Sequence, residues 1–171
     1  MLDEETAELT NELQDLVNLI NTRVPGSNVN LADLEDQYIA AVGDISSDAA
    51  SKMTLLDLST GTDPKYSFEP VPGVLKIEVD ATFTTGADWR LTVVVTPKVF
   101  GYDLGAIRLA DFSRDSKEVT IHPSALVAGA DITVGVYGPR NCVTIKVNGW
   151  YNVLFTKDSI YHEFNDLFCI S

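Results

Sequence analysis

Bases are scarce in the first third of this chain. Met1 to Asp63 holds 13 acids against Arg23 and Lys52, a net −11; residues 64 to 171 hold 12 acids against 10 bases, a net −2, and together these make the formal −13 of the 171 residues. A field of that sign repels nucleic-acid phosphate and anionic lipid, and it favours a basic protein surface. Nucleic acid is therefore not expected as a partner. Long apolar runs are missing too: none approaches the roughly 20 residues that cross a bilayer. Nor does the N-terminus show a basic stretch followed by an apolar core, the mark of a secretory leader. The expectation is a chain that folds in a cytoplasm, without membrane association.

Cysteine and histidine number two each. Cys142 and Cys169 are too few and too far apart for a disulfide scaffold and lack zinc-site spacing, so buried reduced thiols are expected. His122 and His162 form no local metal pair, and both read as surface or structural residues. The carboxylates of the later chain, Asp88, Asp103, Asp111, Asp115, Asp131 and Asp158, are scattered over turns, and no two stand out as a glycosidase pair. G-x-S-x-G, P-loop and G-x-G-x-x-G motifs are absent. No catalytic residue, metal or cofactor is expected, and a hydrolase is the least favoured reading.

What is present begins with LDEETAELTNELQDLVNLINTR, residues 2 to 23. Leu2, Thr6, Leu9, Leu13, Leu16 and Ile20 follow one another at 4, 3, 4, 3 and 4 residues, the alternation of a heptad repeat. The acids Asp3, Glu4, Glu5 and Glu8 stand where the positive end of a helix dipole favours them. This predicts a coiled-coil seam about three heptads long, with Leu2, Leu9, Leu13, Leu16 and Ile20 as assembly residues. The g positions Glu5 and Glu12 meet no base at e positions Asp3, Thr10 and Val17, so parallel self-pairing gains no ion pairs. The helix is expected to close a homotrimer or to lie in a basic or apolar groove of a larger partner; packing on its own domain is the alternative. Pro25-Gly26-Ser27 then breaks the chain. Asn30 reads as an N-cap, with Asp33 three residues on, for a second helix whose apolar face is Leu31, Leu34, Tyr38, Ala41 and Val42. Residues 46 to 65 read as a Ser/Asp/Thr-rich linker with a helical turn near Ala49 to Leu56.

From Tyr66 the apolar period falls to two. Val74 to Phe83 and Trp89 to Thr96 alternate and are joined by TTGAD, which predicts a hairpin. Further strands are predicted at 106–112, 117–122, 131–137, 142–147 and 150–156. The last two flank Asn148-Gly149, a pair suited to a type I′ turn. Seven or so short strands without intervening helices predict an antiparallel β-sandwich, Ig-like or jelly-roll, over residues 66 to 171, with a closed barrel as second choice. Trp150 and Tyr151 after the turn, and Trp89 after TTGAD, are the candidate ligand-binding aromatics. Trp150 shares the face of Val147 in that register, which makes Tyr151 the better surface position; the loops around Asp88 and Tyr102 are further candidates.

An acidic heptad helix at the first residues, a Pro-Gly break, a Ser/Asp/Thr linker and a C-terminal β-sandwich resemble the layout of phage virion appendages: head fibres, decoration proteins and tail receptor-binding proteins. The resemblance implies a non-enzymatic virion structural protein, assembled in the host cytoplasm. Residues 1 to 45 would anchor it to the particle or to sister chains, and the β domain would face outward. A carbohydrate- or receptor-binding module, taking a glycan or host receptor, is the alternative.

Overall fold

The computed structural model describes residues 2–45, 53–59, 63–108, 111–124, 126–153 and 156–170, without the side chains of 2–8, 108, 153 and 156. Among these residues helix α1, Leu2–Arg23, and helix α2, Leu31–Gly43, precede ten strands. The Pro-Gly break is seen, with Gly26 at φ 79°. Asn30 caps α2: its Oδ1 accepts from the Asp33 N–H at 2.9 Å, and its Nδ2 donates to the Asp33 carboxylate at 2.8 Å.

The strands are β1 Leu56–Asp57, β2 Lys65–Val71, β3 Leu75–Thr84, β4 Arg90–Val99, β5 Tyr102–Asp103, β6 Ile107–Arg108, β7 Glu118–Ile121, β8 Ala128–Tyr137, β9 Cys142–Val153 and β10 Thr156–Phe164. Sheet I runs β1-β2-β3-β4-β5 with β6 also on β4, and sheet II runs β10-β9-β8-β7. All pairings are antiparallel. The chain is thus mainly β, in two antiparallel sheets. Within each sheet, path neighbours follow one another in the chain, so both sheets are meanders. Ig-like and jelly-roll sandwiches are built on Greek-key connections, and the described strands contain none. Among the described residues no ladder joins the two sheets into a closed barrel.

Alternation supplies the inner faces. Leu75, Ile77, Val79 and Ala81 on β3, Leu91, Val93, Val95 and Val99 on β4, Ala130, Ile132, Val134 and Val136 on β8, and Val143, Ile145 and Val147 on β9 are all at most 3% exposed and belong to one core. The TTGAD hairpin forms as expected, with Thr84 opposite Arg90. Of the strand expected at 106–112, Ile107–Arg108 is β6 and Phe112 bridges Leu91, while 109 and 110 lie outside the described residues. Leu56 lies in β1 rather than in a helical turn, and residues 46–52 fall outside the described chain.

Asn148-Gly149 is not a turn. β9 continues through it and is paired on both sides, Gly149 with Ala130 of β8 and with Ile160 of β10. Ladders on two edges outweigh a two-residue turn preference. Glycine is needed there because a Cβ would fall 2.2 Å from the Pro70 carbonyl oxygen of β2. An uninterrupted strand also keeps its parity, which reverses the next two residues: Tyr151 turns inward at 7% exposure and Trp150 turns outward, half-buried.

The two ends of the layered structure are covered differently. At the end bearing the β2–β3 turn and the C-terminal end of β4, α1 and α2 pack on the strands. Tyr38 Oη donates to the Asn152 carbonyl, Arg23 Nη1 donates to the Leu104 carbonyl at 3.0 Å, and Asn152 Nδ2 donates to Glu12 Oε2 at 3.1 Å. Leu13, Leu16 and Ile20 are 0% exposed within the core shared with the strands, and Leu9 packs against it. Each such burial contributes about 1.5–3 kcal/mol. The predicted assembly seam is therefore occupied inside its own chain, and the side chain of Leu2 lies outside the described residues. Leu34 and Tyr38 of α2 join the same core, so packing continues across the linker expected at 46–65, part of which is β1.

The other end is covered by the C-terminal tail. After Phe164 the chain bends, with Asp166 at φ 51°, and returns beside the start of β9, where the Val143 N–H donates to the Phe168 carbonyl at 2.8 Å. Phe168 stacks on Tyr66 and Phe83. Cys142 and Cys169 face each other there and form a disulfide. The expectation of reduced thiols is corrected: 27 residues of sequence separation vanish once the tail pairs with β9.

Candidate functional site

The outward face of sheet II collects the chemistry that remains. Odd residues of β8 point away from the core, among them Gly129, Asp131, Thr133, Gly135 and Tyr137; β9 contributes Lys146, Asn148 and Trp150, and β10 contributes Lys157, Ser159, Tyr161 and Glu163. Register sets them in rows: Thr120–Thr133–Lys146–Glu163, then Asp131–Asn148–Tyr161, then Gly129–Trp150–Ser159.

The aromatic rings lie down on glycines. A Cβ on Gly129 would fall 2.6 Å from Trp150 Cζ2, and one on Gly135 would fall 2.2 Å from Tyr137 Oη. Each ring therefore fills the space over a bare backbone that a side chain would otherwise take. Lys157 Nζ stands 4.1 Å above the Trp150 ring, and Lys146 Nζ lies 5.8 Å from that of Tyr137. Tyr161, 52% exposed, stands in the adjoining row.

Hydrogen-bonding groups surround these rings. His122 Nδ1 and Asp131 Oδ1 are 2.6 Å apart, the Thr120 and Thr133 hydroxyls 2.8 Å, and Tyr161 Oη donates to Glu163 Oε1 at 2.5 Å. Tyr137 Oη donates to Glu118. Burial and then the Glu118 carboxylate push the Tyr137 phenol up to about 12, and the bond to Glu163 raises that of Tyr161. Both hydroxyls stay protonated at neutral pH, one side of a flat, amphipathic surface.

Of the predicted binding aromatics, only Trp150 belongs here. Tyr151 points into the core, its phenol raised by burial and then by Asp158, and Trp89 is 4% exposed in the core. Asp88, exposed and 3.8 Å from Arg114, and Tyr102 sit at opposite ends of sheet I, away from this face. Tyr137, Tyr161, Gly129 and Gly135 were not expected. Extending the alternation of 131–137 back to Ala128 would have put both glycines on the outer face. A cleft of about 530 Å³ also lies between the end of α2 and β1–β2, lined by Ile45, Met53, Leu56 and Phe68, on either side of a stretch of chain outside the described residues.

Comparison with known proteins finds no match: no family model, no curated protein and no solved structure is similar to the chain.

Proposed function

We propose that the protein is a non-enzymatic carbohydrate-binding module, of the kind a virion appendage displays, with its ligand lying across the outer face of sheet II. The observation that carries this reading is the pair of rings set over Gly129 and Gly135, with Tyr161 beside them. A flat ring offers an apolar plane to the C–H face of a pyranose, while the His122, Asp131, Asn148 and Lys146 side chains supply donors and acceptors for hydroxyls. Lys157 is exposed on a flexible stem, so a sugar ring would take its place over Trp150. The virion setting rests on the resemblance in the order of sequence segments alone, and capsid or tail genes on either side of its own would support it.

A glycan array probed with the full chain tests the ligand class. Trp150→Ala and Tyr161→Ala should each weaken binding of any retained glycan about tenfold or more, with an unchanged far-ultraviolet circular dichroism spectrum. An array on which nothing is retained would remove the reading.

A further inference from the structure

Sheet II ends on β10, nine residues long; its inner side pairs with β9, and among the described residues no strand lies along its outer side. Such an edge presents unpaired N–H and C=O groups to solvent, and natural edges are commonly protected by charges that repel a second copy. The charges of β10 do the opposite. Its sequence is TKDSIYHEF, and two copies laid antiparallel about Ile160 set Lys157 opposite Glu163, Asp158 opposite His162 and Ser159 opposite Tyr161, each pairing occurring twice. Alternation keeps every pair on one face, Lys157 and Glu163 with the outer set, Asp158 and His162 with the inner.

The match belongs to one register. Moving the partner by two residues places Lys157 opposite Tyr161 or Asn165, and Asp158 opposite Ile160 or Phe164, so both the Lys157–Glu163 and the Asp158–His162 pairings vanish together. Lys157, Asp158, Ser159, Tyr161 and Glu163 are exposed. Glu163 accepts from Tyr161 through Oε1, which leaves its second oxygen for a partner's lysine.

We propose that β10 is a homodimerisation edge, pairing antiparallel with the β10 of a second copy about Ile160. The two four-stranded sheets become one of eight strands, and growth stops there, because a two-fold contact is self-complementary and closed and the other edge, β7, is only four residues long. The outer faces of both copies then form one surface, with the two Tyr161 side chains beside the axis. The dimer does not depend on the carbohydrate reading.

Sedimentation equilibrium of the full chain, from micromolar to millimolar, tests it. The wild type should show a reversible monomer–dimer equilibrium. Lys157→Glu sets Glu against Glu163 on both sides of the axis and should raise the dissociation constant about tenfold or more; Glu163→Lys should do the same with lysines. Mixing these two variants, or combining them in one chain, restores opposite charges and should bring dimerisation back to within about threefold of wild type. The double variant, with its native net charge, also serves if a single variant folds poorly. A wild type that stays monomeric at millimolar concentration, single variants that dimerise like wild type, or pairs of variants that do not recover would each overturn the proposal.

Discussion

The Tyr38 hydroxyl joins α2 to the strands. It donates to the Asn152 carbonyl and lies 3.2 Å from that of Val127, inside the core. Removing it in Tyr38→Phe should cost about 1–2 kcal/mol, since two buried carbonyls lose a donor. Burial also holds its phenol well above the ordinary value. The sign follows from linkage: above about pH 10 the unfolded chain sheds this proton and the folded chain keeps it, so the contribution is whole below that pH and lost as pH rises. Urea unfolding in the alkaline range should show wild type losing up to about 1.4 kcal/mol per pH unit more than Tyr38→Phe. Equal alkaline slopes would mean that the phenol is not buried. Gly149, at the same scale, was legible as a special residue and misread as to why. Asn-Gly marks a turn when nothing competes, but here the missing side chain makes room for the Pro70 carbonyl, a neighbour 79 positions away in the numbering of the chain.

Among the elements, β9 decides most. Its length sets the parity by which Trp150 faces out and Tyr151 in, and its first residues receive the tail. The disulfide there closes 27 residues of sequence separation, and the chain-entropy account assigns such a loop about 3–4 kcal/mol. Cys142→Ser/Cys169→Ser should lower stability by about that amount in urea titrations under oxidising conditions, and proteolysis should reach Leu167 and Phe168 first. A variant as stable as wild type would show that aromatic packing of Phe168 on Tyr66 and Phe83 suffices. The elements with a clear internal period, α1, α2, β3 and β4, were legible. β2, β5 and β10 were not, because their pattern is short, interrupted by Pro70, or mixed with charge.

For the whole molecule, the consequence is that the helices are part of the fold's own core. Leu13→Asp places a charge among fully buried side chains and should destabilise the entire chain by more than about 3 kcal/mol, not merely release one copy from another. Residues 64 to 171 alone would leave the end of the sheets bare where Leu13, Leu16, Ile20 and Leu34 now pack. That fragment should be markedly less stable than the full chain, or insoluble, by circular dichroism and urea unfolding. A fragment as stable as the whole would restore the division into an anchoring segment and an autonomous β domain.

Local physics reached the parts of this protein that local interactions govern: the heptad spacing of α1, the Asn30 cap, the Pro-Gly break, and the two-residue period of β3 and β4. Those depend on neighbours within one turn of helix or one hairpin. Which surface the α1 seam covers, that Cys142 meets Cys169, that Asn148-Gly149 runs straight, and which aromatics share the outer face of sheet II depend on residues far apart in the chain. Only tertiary structure decided them, because each is set by a partner strand or a packed layer that no local pattern encodes.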